Sequence, residues 1–143
     1  MTERGLFILW EKARKKEEEI INDIKENFII DEIFSINIEN NFDEIIEDFY
    51  QHQIPPGEIK SQKCGTGEFL VVVVTDKDAI YEKRKTLRAE KNVAIHFFDA
   101  KKRYRAMVGN GDPFCIAVHG TNNAFEFEHD YSYLKKLKEI AND

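Results

Sequence analysis

Four consecutive valines, Val71–Val74, follow Phe69 and Leu70, and this run constrains the fold more than any other feature of the chain. A β-branched side chain is stiff about χ1 and crowds the preceding turn of a helix. An apolar run without period-two alternation fits a strand buried on both faces. Glu68–Val74 is therefore predicted to be an interior strand, and the rest of the chain must supply its neighbours and cover. At 143 residues the chain is one domain of ordinary size, long enough to bury a real core.

The flanking segments supply the remaining elements. Gly5–Trp10 is a short apolar run with polar flanks and reads as a buried strand. Ile20, Ile21, Ile24 and Phe28 recur at helical spacing over Arg14–Asn27. Ile29–Ile38 is rich in β-branched residues and alternates over Phe34–Ile38, which predicts a second strand. Phe42, Ile45, Ile46, Phe49 and Tyr50 mark a second helix, opened by Asn41 with Glu44 and ending near His52. Gln53–Gly67 holds Pro55, Pro56, Gly57 and Gly65 and reads as a loop. Asp78–Ala89 and Asp99–Met107 read as helices, each with an Asp N-cap. Val93–Phe98 between them is a strand or an apolar loop. Phe114–His119 is predicted to be a last buried strand. Asn123 and Glu126 then form a capping box that opens a C-terminal helix bearing Tyr131, Leu134, Leu137 and Ala141. This order fits an α+β ferredoxin-like antiparallel sheet with helices on one side, in a single domain spanning residues 1–143.

Composition excludes several functions. The chain carries 27 acidic and 21 basic residues, a net charge of −6, which argues against a general nucleic-acid binder. The charge is uneven. Lys83, Arg84, Lys85, Arg88, Lys91, Lys101, Lys102, Arg103 and Arg105 crowd one stretch, whereas acids crowd Glu17–Asp48. A basic segment on an acidic protein suits a small anionic ligand better than a polymer. Cys64 and Cys115 have no metal or CxxC spacing, and Cys115 is expected to be buried. Phe69–Val74 is far too short to span a bilayer. With no signal-peptide pattern at the start, the cytoplasm is the expected compartment.

Among the four histidines, His52, His96, His119 and His129, one has a context that suits chemistry. His119 ends an apolar strand. Gly120 follows and admits close approach of a backbone or a phosphate. Thr121, Asn122 and Asn123 lead into a helix N-terminus, where amide donors and the dipole favour anions. Asp130, eleven residues on, can fold back from that helix and fix the imidazole tautomer. A neutral imidazole held this way is a nucleophile toward a γ-phosphate. Arg84, Lys85, Arg88 and Arg105 are candidate cations. His96 reads as strand-facing or solvated. His129 reads as lying on an exposed turn, with a second ligand contact as the alternative.

The segment Phe114-Cys115-Ile116-Ala117-Val118-His119-Gly120-Thr121-Asn122 resembles the active-histidine strand of the nucleoside diphosphate kinase family. There an apolar strand ends in His-Gly-Ser-Asp before a helix with a carboxylate at the place of Asp130. Phe7-Ile8-Leu9-Trp10-Glu11-Lys12 is similar to the family's first strand, which ends in a phosphate-binding lysine. Phe49-Tyr50-Gln51-His52 with Pro55-Pro56 resembles its His-Tyr…Pro stretch, and Gly67–Val74 its third strand. The resemblance implies a ferredoxin-like fold and γ-phosphate transfer through a phosphohistidine at His119. In it Asp130 and Tyr50 would be catalytic partners. Lys12, Arg84, Arg88, Arg105, Thr121 and Asn122 would bind nucleotide and phosphate. It also implies Mg²⁺ arriving with a nucleoside di- or triphosphate, no metal held by the protein, and a homo-oligomer. The chain departs from the family pattern at Ile116, where the family has Asn, at Thr121-Asn122 in place of Ser-Asp, and at Asp130 in place of Glu. Lys77–Gly111 has no clean match to the nucleotide-clamping segment. A catalytically silent nucleotide-binding module and a ligand-free interaction domain therefore stand as alternatives.

Overall fold

The computed structural model describes residues 1–38, 45, 48–49, 64–85, 89–112 and 115–141. The described elements run β1 (Glu3–Leu9), a 3-10 helix (Glu11–Lys16), α1 (Glu17–Asn27), β2 (Ile29–Ile36), β3 (Phe69–Asp76), β4 (Tyr81–Lys85), β5 (Glu90–Ala94), α2 (Ile95–Val108), β6 (Val118–Gly120) and α3 (Ala124–Ala141). The expected helix between Asn41 and His52 and the expected loop from Gln53 lie largely outside the described residues.

The main sheet has the order β2–β3–β1–β6, and every neighbouring pair is antiparallel. β1 and β2 consequently run parallel with β3 between them, and β3 and β6 run parallel with β1 between them. That is the ferredoxin-like arrangement, two crossover units interleaved in one sheet. The valine run of β3 takes the interior position its composition demands. All of Phe69–Val74 is buried, and Leu6–Leu9 beside it on β1 is buried as well.

Helices cover both faces of this sheet, not one as the element order had suggested. Phe7, Leu9, Val72 and Val74 face Ile20 and Ile24 of α1 and Phe97, Ala100 and Tyr104 of α2. Leu6, Ile8, Trp10, Val71 and Val73 face Phe127 and Leu134 of α3. Alternate side chains of a strand point to opposite faces, so a central strand that is apolar throughout needs two covering layers. Phe7 sits amid Phe28, Phe97 and Tyr104, with ring centroids 5.9, 6.3 and 5.2 Å away. Burying one such phenyl contributes roughly 1.5–3 kcal/mol. The Tyr104 hydroxyl and an Arg103 nitrogen both donate to Asp23 Oδ1, at 2.6 and 2.8 Å, tying α2 to α1. Those donors hold the Asp23 carboxyl below its ordinary range, against the opposing effect of its burial.

The described residues of the expected helix 78–89 are not helical. Tyr81–Lys85 and Glu90–Ala94 pair as a separate antiparallel hairpin, with Tyr81 opposite Ala94 and Lys85 opposite Glu90. The local helix preference of this Glu- and Lys-rich stretch yields to tertiary contacts. Asp76 Oδ1 accepts the Asp78 N–H at 3.0 Å and turns the chain directly after β3. The Ala79 N–H donates to Met1 O, and the Tyr81 hydroxyl donates to Glu3, so the N-terminal segment grips the base of the hairpin. Asp99 is not an N-cap, because α2 starts at Ile95 straight out of β5 and Asp99 falls inside it. The last strand is also shorter than expected. Ile116 and Ala117 lie in a turn, and only Val118–Gly120 pairs. Cys115 is half-buried rather than buried.

Candidate functional site

β6 is an edge strand that pairs with β1 on one side only. His119 lies opposite Ile8, Gly120 opposite Phe7 and Val118 opposite Leu9. Side-chain alternation sends His119 to the α3 face together with Ile8, and sends Val118 and Gly120 to the α2 face. The short strand is anchored at both ends. The Trp10 N–H donates to Ala117 O at 3.0 Å, and the Thr121 N–H donates to Leu6 O at 3.1 Å. Thr121 Oγ1 in turn accepts the Leu6 N–H at 3.0 Å. Thr121 is 1% exposed, so its hydroxyl holds the sheet edge.

His119 and Asp130 meet as the sequence predicted. Nε2 of His119 lies 2.8 Å from Asp130 Oδ2, and both residues are buried. An ionised carboxylate only accepts, so a neutral ring bonded in this way carries its proton on Nε2 and its lone pair on Nδ1. Phe49 packs edge-on against the imidazole, with centroids 5.5 Å apart. His129 reaches the same carboxylate from its other side, its Nδ1 2.9 Å from Oδ1. The sequence suggests an exposed turn or a second ligand contact for His129, and the structure half-buries it against Asp130. What the sequence reading missed is that one Asp next in sequence to a His can be shared by that His and a second one on the facing strand.

The cations approach from α2. Arg105 donates from Nε to Val118 O at 2.8 Å, one residue before His119. In an antiparallel pair alternate residues turn their backbone groups toward the partner strand. With 117, 119 and 121 turned to β1, the carbonyl of Val118 points outward, and Arg105 satisfies it. Lys101, one helical turn earlier, donates from Nζ to Asn122 Oδ1 at 3.1 Å. Desolvation, then the neighbouring Arg105 charge, pulls the Lys101 ammonium down to about 7. Lys101 was not singled out in the sequence as a site residue. Its signal is the i, i+4 spacing from Arg105, which puts both cations on one helix face.

At the N-terminus of α3, two amides are taken up by the chain's own side chains. Asn123 Oδ1 accepts the Glu126 N–H at 2.9 Å, the expected cap. The Glu126 carboxylate folds back on the Asn122 N–H at 3.2 Å, so the anion at this helix end is the chain's own. Asn122 is thereby pinned, since its carbonyl also accepts the Ala94 N–H at 2.7 Å.

Lys12 is exposed in the 3-10 helix that continues β1. Arg84 sits on the hairpin and ion-pairs with Glu82 at 2.9 Å. Tyr50 and Arg88 lie outside the described residues. Among the described residues no group of three or more His, Cys, Asp or Glu could hold a metal ion. No helix among them is long and apolar enough to cross a membrane.

The chain thus has a ferredoxin-like sheet whose edge-strand His119 bonds Asp130 of α3, with Lys101 and Arg105 on the neighbouring helix. Solved structures similar to this chain include nucleoside diphosphate kinases. The enzyme from Aquifex aeolicus superposes over 94% of this chain and 95% of its own, with a TM-score of 0.58 and 15% identity. The enzyme from Encephalitozoon cuniculi superposes over 92% of this chain and 87% of its own, also with a TM-score of 0.58 and 15% identity. The chain therefore has the nucleoside diphosphate kinase fold. No protein-family model and no curated protein sequence matches it.

Proposed function

We propose that this chain is a nucleotide-binding phosphotransferase that passes a γ-phosphate through a phosphohistidine at His119. The observation that carries the proposal is the buried 2.8 Å bond between His119 Nε2 and Asp130. With the proton on Nε2, Nδ1 attacks the γ-phosphorus. The bond from phosphorus to the β,γ-bridging oxygen breaks, and the diphosphate leaves with the electron pair. The imidazolium that forms is balanced by Asp130, which keeps its negative charge. In the second half-reaction an acceptor oxygen attacks the phosphorus, the P–N bond breaks, and the imidazole returns neutral. Arg105 and Lys101 flank the strand and supply positive charge to the phosphates, with Lys12, Arg84 and Arg88 assisting and Tyr50 bonding near the ring.

Mg²⁺ belongs to the nucleotide in this scheme. Its chemistry is to neutralise phosphate charge, and the carboxylates beside His119 are already engaged, Asp130 by two imidazoles and Glu126 by Asn122. A homo-oligomer is part of the same reading, checked by sedimentation.

Incubation with γ-labelled ATP tests the reaction. The expected result is an acid-labile, base-stable label that is absent from His119→Ala. A second reading, a nucleotide-binding module without transfer, is favoured by one observation. Arg105 and Asn122 already serve protein partners and His119 is only 8% exposed. Thermal stabilisation by nucleotide without any label supports that second reading.

A further inference from the structure

Asp130 accepts from two imidazoles at once, Oδ2 from His119 at 2.8 Å and Oδ1 from His129 at 2.9 Å. Asp130 is 6% exposed, and the Phe49 ring lies against both imidazoles, 5.5 and 6.3 Å between centroids. The terminal torsion of an Asp side chain is broad and soft. A carboxylate bonded on one oxygen alone can rock about that torsion and lose its grip on the partner ring. A second donor on the opposite oxygen removes this freedom. His129 is adjacent to Asp130 on α3, so the brace and the group it braces belong to one helical turn.

We propose that His129 is a positioning residue that acts through Asp130. Its Nδ1–H fixes the carboxylate so that Oδ2 stays on Nε2 of His119, which locks His119 in the Nε2–H tautomer and keeps Nδ1 as the nucleophilic nitrogen. The functional meaning of this role rests on the phosphohistidine reading above. The role itself is a property of the resting protein and needs no nucleotide.

The test is the tautomer of His119, read from the ¹⁵N shifts of its two ring nitrogens in long-range ¹H–¹⁵N spectra at about pH 8, where an unperturbed imidazole is neutral. Wild-type protein is compared with His129→Leu, which removes the donor, and His129→Asn, whose side-chain amide can donate to the same oxygen. In wild-type protein Nε2–H dominates. In His129→Leu the ratio of Nε2–H to Nδ1–H falls by about tenfold, the scale of one hydrogen bond to a charged group. His129→Asn restores it. An unchanged ratio in His129→Leu overturns the proposal. An equal fall in both variants also overturns it, because that marks His129 as packing and not as a donor. If wild-type protein takes no label from ATP while the tautomer still responds, the transferase reading fails and the positioning role stands.

Discussion

Lys101 gives a prediction whose size follows from its surroundings. Its aliphatic stem packs against Gly120, its ammonium bonds Asn122 near the Arg105 charge, and its pKa falls from the ordinary 10.5 to about 7. In the unfolded chain the lysine keeps its ordinary value. Below pH 7 both states hold the proton, and the folded state carries the whole penalty of the confined charge. A difference of about 3.5 at about 1.36 kcal/mol per unit sets an upper bound of about 5 kcal/mol. From pH 7 upward the folded protein sheds the proton while the unfolded chain retains it, so stability rises with pH until the unfolded lysine also titrates. The side chain is only half-buried, and water screens part of the penalty. We expect wild-type stability to gain about 1–2 kcal/mol more than Lys101→Met between pH 7 and pH 9. Urea unfolding of both proteins across this range measures it, and the difference between the two curves cancels titrations they share. Parallel curves would show that the confinement of Lys101 by Gly120 and Arg105 has been misread.

Other outcomes follow from single contacts. Gly5→Ala places a Cβ 2.8–3.0 Å from the Phe97 ring, and we expect a loss of about 1–3 kcal/mol in urea unfolding. Tyr104→Phe removes a 2.6 Å bond to Asp23 and should cost about 1 kcal/mol. Asp23 has a lowered pKa, so its contribution is present above the ordinary carboxylate range and lost as pH falls through the folded value; acid titration of Asp23→Asn should lack that loss. Phosphate or nucleotide beside Lys101 should raise its pKa again, and calorimetry in buffers of different ionisation enthalpy should register proton uptake near pH 8.

The parts of the molecule that could be read from sequence are those where one force dominates. The valine run could only be an interior strand, and the Ile20–Ile24 stripe could only be a packed helix face. The His119–Asp130 pair was legible because an edge strand feeding a helix brings residues eleven apart together. The hairpin was not, because Glu82, Lys83, Arg84 and Lys85 favour helix locally while the contacts that override them come from Met1 and Glu3. The closure of Glu126 on Asn122 was hidden for a related reason. Asn123 and Glu126 announce a cap, yet nothing in their spacing says that Glu126 will close on Asn122. Lys101 was obscured by the many basic residues around it.

The β4–β5 hairpin is a free-standing ribbon, and two strands alone hold little stability in water. It is nonetheless wired to the interior. Its second strand runs without a break into α2, and the amide of Ala94 at that junction clasps the carbonyl of Asn122, three residues downstream of the imidazole. Load applied at the ribbon's cationic tip therefore arrives at the segment that carries His119. A molecule bound at Lys83, Arg84 or Lys91 would be linked to β6 through α2 and the Ala94–Asn122 bond without touching it.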